Sequence, residues 1–406
     1  MDRPRVLFVD DEPHVLRGLM RSMSSMAGQW DTFFFASGPE ALAWIDANGP
    51  VDVIVSDMRM PGMDGAQVLE TVRRDHPATV RVILSGYAEE SAILRTVGPA
   101  HLYLAKPCTP AALQQAIARP LALRERMTDP GLRSALTGLS NLPSLPAVYG
   151  EIEAELRSPL ASARSVAAII ARDLAMTAEL LRLTNSAYFS LGTPAATPLQ
   201  ALRAVGLETV QTLVLGIGLF RQFSGRPGDL PMLEALTRFS LDLAGRCEAL
   251  ALASGAPAEL AKVAHCTGML SHIGTLVLID AHGAAYRTIL PRVDVKNPLD
   301  RLEQETFGAA HGLIGAYLLG LWGFAPSLVE AVAHAWHPRE APAGGDNPLL
   351  GVLHGALALG PAPLLASTVE GTRPALDRAY LARVGLDSHV PAWQALISSP
   401  CSKGTR

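Results

Sequence analysis

Two aspartates, Asp10 and Asp11, directly follow the apolar run 6–9, and a third, Asp57, directly follows the run 53–56. If those runs are strands of one parallel sheet, three carboxylates meet at one sheet edge. Like charges within several ångströms repel, and in a partly buried place they are tolerated only beside a cation. A hard, oxygen-preferring ion such as Mg²⁺ suits such a set. Lys106 ends another apolar run, and lysine is scarce: Lys106, Lys262, Lys296 and Lys403 are the only four among 34 basic residues. A position that keeps lysine fits a need for a compact point charge. Ser85 ends a further run with a hydroxyl. The chemistry expected is phosphoryl transfer to a carboxylate. Asp57 attacks phosphorus, Mg²⁺ on Asp11 and Asp57 with Asp10 nearby neutralises the growing charge, and Lys106 and Ser85 hold phosphoryl oxygens. The plain alternative, an Asp capping a strand-to-helix turn, accounts for one aspartate but not for the whole set.

The elements that must position these groups are legible. Apolar runs at 6–9, 32–35, 51–56, 80–85 and 101–105 alternate with amphipathic segments. This predicts an α/β domain over 1–120, a doubly wound five-stranded parallel sheet with helices on both faces. Its ligand chemistry belongs at the carboxyl ends of the strands. From 121 to 138 the pattern is mixed, with Pro120 and Asp129-Pro130-Gly131 as breaks, and reads as a connector. Beyond it, helical periodicity takes over, as in Leu236/Phe239/Leu243/Leu250 and Phe307/His311/Ile314/Leu318/Leu321. An all-α domain is expected over 139–338, with a helical extension over 339–406 after a Pro/Gly-rich break. The apolar run 210–223 reads as one buried helix.

Composition narrows the function. The chain has 406 residues, 49% hydrophobic and 18% charged, below the usual ~25% charged and in keeping with more than one well-filled core. The net charge is −4, and neither part carries the basic excess of a nucleic-acid binder. Cys108, Cys247, Cys266 and Cys401 form no CxxC pair and read as reduced thiols. The sequence shows neither a leader nor an uninterrupted apolar span, so a cytoplasmic location without membrane contact is expected.

Residues 1–120 resemble a response-regulator receiver domain, through VLFVDDEP (6–13), VIVSDMRMPGMDG (53–65), VILSGYA (82–88) and LYLAKP (102–107). The resemblance implies Asp57 as phosphoacceptor, Asp10 and Asp11 as the acidic metal pair, and the Arg59 backbone carbonyl as a further Mg²⁺ ligand. It also implies Ser85 as switch hydroxyl, Tyr103 as switch aromatic, Lys106 as phosphoryl contact and a cis Lys106-Pro107 peptide. A histidine kinase or phosphotransfer protein is the implied donor. Homodimerisation through the receiver is a further implied option. The bulk of Arg59 and Tyr87, two positions after Asp57 and Ser85, suggests slow autodephosphorylation.

Residues 137–337 resemble an HDOD domain, a helical output module related to the HD metal-dependent phosphohydrolases. The segments carrying this are LSNLPSLPAVYGEI (139–152), IIARDLAMTAELLRLTNSAYFS (169–190), ALRAVGLETVQTLVL (201–215), GMLSHIGTLVL (268–278) and ETFGAAHGLIGAYLLGLW (305–322). An HD hydrolase needs histidine and aspartate ligands for its metal. Here Phe239 stands for the upstream histidine, Ser271-His272 for the His-Asp pair, Ala335-Trp336 for a later His-His pair and Leu357 for a late aspartate. His311 alone keeps its expected position. No output-domain cofactor is therefore expected, although a soft site using His265 and His272 with His311, His334 or Cys266 is an alternative. Asn185-Ser186 reads either as a polar lock or as a helix C-terminal cap.

The function expected is a response regulator of a two-component phosphorelay, in which phosphorylation at Asp57 switches a non-catalytic output domain that signals by protein contact to an unnamed partner. The alternatives are a receiver-regulated HD-type phosphohydrolase acting on a cyclic dinucleotide, and a nucleotide- or ligand-sensing HDOD module. A transcription factor is disfavoured by the near-neutral output domain.

Overall fold

The computed structural model describes residues 3–86, 99–139, 141–185, 194–216, 218–342, 346–361 and 373–398. Tyr87, Ser186 and Cys401 lie outside them. Five strands, β1 (Arg5–Val9), β2 (Asp31–Phe35), β3 (Val53–Asp57), β4 (Val80–Ser85) and β5 (Leu102–Ala105), form a sheet of order β2-β1-β3-β4-β5. Every pairing is parallel, with Val9 opposite Ser56 and Ser85 opposite Ala105. The expected doubly wound sheet is present. Its strands are apolar on both faces because helices cover both.

The two faces have different surroundings. Leu7, Val9, Ile54 and Ile83 pack with Ala41, Ile45, Val68, Leu69 and Val72 in a core confined to this domain. Val6, Phe8, Val55, Val82 and Leu84 on the other face belong to a core that continues without a break into the helical domain. The helix Pro110–Glu125 carries that continuity. It runs through Pro120, whose missing N–H removes one helical bond but whose ring is buried. Leu123 on its last turn lies against Gly320 of the His311–Leu321 helix. Asp129 then caps a second connector helix, Pro130–Thr137, by accepting from the Leu132 N–H at 2.6 Å.

Among the described residues the remainder is helical, as expected, with one small exception. Pro143–Ser144 and Arg221–Gln222 pair as a two-stranded parallel sheet. The run 210–223 is accordingly not one buried helix. Leu207–Gln211 passes into a π turn at Thr212–Gly216, Gly218 takes a φ of +71°, and the chain leaves as strand. Glycine is at home in that left-handed region, and the helix stops there. The central layer comprises Leu230–Ala253, Ala258–Leu270, Ile273–Ile289, His311–Leu321 and Pro326–His334. Among the described residues, the helical stretch Ala258–Arg292 is long and apolar enough to cross a membrane, but 83% of its apolar window is buried in this fold. The extension supplies Pro348–Leu359, Arg378–Arg383 and Val390–Ser398, and Trp393 fills the space that Gly355 leaves open.

Candidate functional site

Asp10 lies immediately beyond β1, Asp57 ends β3 and Lys106 follows β5, so three of the proposed groups reach one sheet edge. The Lys106 ammonium donates to Asp10 Oδ2 at 2.7 Å and to Asp57 Oδ1. Asp57 Oδ2 accepts from the Arg59 N–H at 2.6 Å, and Asp10 Oδ1 from the Glu12 N–H at 3.0 Å. Asp10 is 1% and Asp57 8% exposed, so both charges depend on these donors. Burial raises the Asp57 pKa above the ordinary carboxylate value, despite Lys106 and the Arg59 amide acting against it. Burial also opposes the Lys106 charge, but its bonds to Asp10 and Asp57 outweigh that and raise its pKa.

Local sequence explains the approach. A Cβ at Gly65 would lie 2.1 Å from the Asp57 carbonyl oxygen, so only glycine lets the following helix start this close to the strand end. Asp64 caps that helix in a reciprocal box with Gln67. Ser85 is buried at the end of β4, and its hydroxyl donates to the Gly86 carbonyl at 2.9 Å. The Lys106 N–H donates to the Ser85 carbonyl at 2.8 Å, tying β5 to β4, and Lys106-Pro107 is cis. Asp11 and Tyr103 are half-buried, and Arg59 is exposed. Among the described residues, no three or more His, Cys, Asp and Glu side chains form a ready metal cluster. At this edge Lys106 supplies the positive charge between the carboxylates. The buried oxygen donors still match a hard cation.

The HD-like positions also converge. The rings of Phe239 and His272 are 5.0 Å apart, those of His272 and His311 5.0 Å, and those of His311 and Trp336 5.5 Å. Gly274 permits this: a Cβ there would lie 2.0 Å from the His311 carbonyl oxygen, so the two helices cross in contact. Ser271 Oγ donates to the Gly268 carbonyl and therefore accepts from His272 Nδ1, 2.8 Å away. Burial, then the charges of His311 and Arg246, depress the His272 pKa well below the ordinary imidazole value and keep the ring neutral. His311 is opposed by burial, but the Glu303 charge and hydrogen bond outweigh it and raise its pKa. Ala335 contributes its carbonyl to His354 Nδ1 at 2.8 Å, and Leu357 is buried.

The soft histidine site is not assembled. His265 pairs with Glu248 at 2.9 Å instead of joining His272, and the helix that carries His265 ends at Leu270, so the seven-residue spacing does not put the two rings on one helical face. Asn185 is the C-cap of the Leu174–Thr184 helix, its backbone N–H donating to the Leu181 carbonyl at 2.9 Å, and its side chain also acts as a lock, accepting from the Ala195 N–H at 2.6 Å and donating to the Ala195 carbonyl at 2.8 Å. Sequence reading passed over Glu303, His354 and a polar group at the domain junction. Glu303, eight residues before His311, carried the only readable hint.

The family model of the response regulator receiver domain matches residues 6–118, and that of the HDOD domain matches residues 142–338. The chain is 36% identical over 107 residues to the hydrogenase transcriptional regulatory protein HoxA of Cupriavidus necator, covering 26% of this chain and 21% of that protein. It is 40% identical over 87 residues to the sensor kinase CckA of Brucella abortus, covering 21% of this chain and 9% of that protein. The chain thus spans a small part of the length of these relatives. Among solved structures, the MmoQ response regulator of Methylococcus capsulatus is 26% identical, with 63% of this chain and 98% of that one covered and a TM-score of 0.45. A receiver domain implies a histidine kinase or phosphotransfer partner and is generally Mg²⁺-dependent. Residues 6–118 are therefore a response regulator receiver domain and residues 142–338 an HDOD domain.

Proposed function

We propose that phosphorylation of Asp57 switches the HDOD domain, which passes the signal on by contact with another protein. The observation that carries this reading is the Lys106 ammonium shared by the buried carboxylates of Asp10 and Asp57. Asp10, Asp11, Asp57 and the Arg59 carbonyl would hold Mg²⁺, which supplies charge neutralisation during transfer. An Asp57 carboxylate oxygen attacks phosphorus, a P–O bond forms, and the bond from phosphorus to the donor's nitrogen or oxygen breaks with its electron pair leaving on the donor. Lys106 then holds one phosphoryl oxygen. The Ser85 hydroxyl turns from the Gly86 carbonyl to hold another, and Tyr103 moves into the space vacated.

The HD-like cluster supports a non-catalytic output. An aromatic ring, a hydroxyl, a methyl and an indole occupy Phe239, Ser271, Ala335 and Trp336, none of which supplies the ligand set that activates water. A cytoplasmic location agrees with both domain types. The test is acetyl phosphate with Mg²⁺ on wild type and Asp57→Ala, read by intact mass and hydrodynamic radius. Wild type should gain one phosphoryl group and change radius, and Asp57→Ala should do neither; identical behaviour would remove the reading. Stoichiometric iron, manganese or zinc in the purified protein, lost on substituting His265 and His311, would favour the hydrolase instead.

A further inference from the structure

Arg81 is 1% exposed, and among the described residues its guanidinium meets carbonyls and an imidazole. Nε donates to the Pro99 carbonyl at 2.6 Å, and Nη1 to the Thr79 carbonyl at 2.9 Å and the Pro77 carbonyl at 3.4 Å. Nη2 lies 3.3 Å from the Thr137 carbonyl and 2.8 Å from His101 Nε2. Burial lowers the Arg81 pKa to about 10, so the group remains a cation at neutral pH. Thr137 ends the Pro130–Thr137 helix, where the last carbonyls lack helical partners and the dipole favours positive charge.

Proton directions follow from the partners. The Arg81 backbone N–H donates to His101 Nδ1 at 3.0 Å, so that nitrogen is bare and the ring proton sits on Nε2. That proton goes to the Thr137 carbonyl at 2.7 Å. The Thr137 hydroxyl donates to the Arg133 carbonyl at 2.8 Å, so it accepts from the Tyr317 hydroxyl, also 2.8 Å away. One connector residue is thus held on its carbonyl by the receiver and on its hydroxyl by the HDOD domain.

Both holding elements lead to sites already described. Arg81 lies in β4, which ends at Ser85, and His101 directly precedes β5, which leads to Lys106. From Arg81 to Ser85 is four residues, roughly 13 Å of extended strand. Tyr317 lies on the helix that begins with His311, six residues or roughly 9 Å away.

We propose that Thr137 is the point at which the receiver's state reaches the helical domain: His101 and Arg81 hold its carbonyl while Asp57 is unmodified, and phosphorylation releases that hold. The proposal rests on Asp57 being the phosphoacceptor. Lys106 sits on Asp10 and Asp57 in the state where the hold is closed. Drawing Lys106 and Ser85 toward a phosphoryl group displaces the carboxyl ends of the two strands whose amino ends make the hold. These strands are hydrogen-bonded to each other and closely packed, so they move as stiff bodies.

Hydrogen exchange on the full chain, with and without beryllofluoride and Mg²⁺, tests this. In wild type, beryllofluoride should slow exchange around Lys106 and speed it by about tenfold around Arg81, in 130–137 and in the His311–Leu321 helix. In Tyr317→Phe and Thr137→Val, which keep the packing, the response should persist at Arg81 and vanish from the His311–Leu321 helix. A wild-type response around Lys106 with none at Arg81, or the same response of that helix in both variants, would overturn the proposal alone. No response around Lys106 would overturn the phosphoacceptor reading and the proposal with it.

Discussion

Glu303 accepts from His311 Nδ1 at 2.5 Å, and its other oxygen accepts from the Tyr286 hydroxyl at 2.7 Å. All three side chains are buried. The carboxylate joins the Leu299–Phe307, His311–Leu321 and Ile273–Ile289 helices beneath the stacked rings of the HD-like cluster. Removing it leaves a buried imidazole and a buried phenol without an acceptor. Glu303→Ala should therefore destabilise the chain by about 3 kcal/mol or more, and Glu303→Gln by less, in urea unfolding followed by tryptophan fluorescence.

Gly65→Ala should damage phosphorylation more than stability. The added methyl meets the backbone of Asp57, the proposed phosphoacceptor. A shift of a few tenths of an ångström moves Asp57 off Lys106, and about a tenfold loss in acetyl phosphate labelling rate is expected. Labelling at the wild-type rate would show that this contact does not position Asp57.

Acid should weaken the domain junction through His101. Burial, and then the Arg81 charge, hold its pKa well below the ordinary value of 6.5, so the folded ring stays neutral while the unfolded ring titrates normally. The unfolded state binds more protons as pH falls below 6.5. The stability linked to this group is thus present above that pH and lost progressively below it, toward the depressed folded value. His101→Gln should flatten this part of the profile in chemical denaturation repeated between pH 7 and pH 5; an unchanged slope would show that His101 does not contribute.

Gly355→Ala should unseat the C-terminal helix. Its methyl would lie 2.4 Å from the Trp393 ring, which is wholly buried and whose indole N–H donates to Ser254 Oγ at 3.1 Å. Overpacking of this kind costs about 1–3 kcal/mol. A red-shifted Trp emission component and early proteolysis within 390–398 are the expected signs.

The receiver was almost wholly legible from particular residues. Each strand run ended within two residues of its expected bound, and Asp10, Asp57, Ser85 and Lys106 stand at one sheet edge because parallel strands bring their carboxyl ends together. The helical domain was legible in class but not in detail. Its periodicity marked buried faces without saying which faces meet, so Phe239, His272, His311 and Trp336 could be aligned with a family pattern while their ring-to-ring contacts remained unknown. The turn after Leu207–Gln211 was misread because an apolar run does not distinguish a buried helix from a helix, a π turn and a short strand.

By itself, the sequence determined the class of both domains and which side chains stand at the sheet edge, since alternation of two or 3.6 residues and the residue after each strand are local properties of a chain. Only the tertiary structure decided that Lys106 bridges Asp10 and Asp57, that Glu303 holds His311, and that Thr137 is gripped from two domains. Tyr317 reaches Thr137 across 180 residues. Such a bond depends on how helices cross and how a connector is docked, and these are set by the packing of whole faces, which leaves no spacing in the sequence for a reader to find.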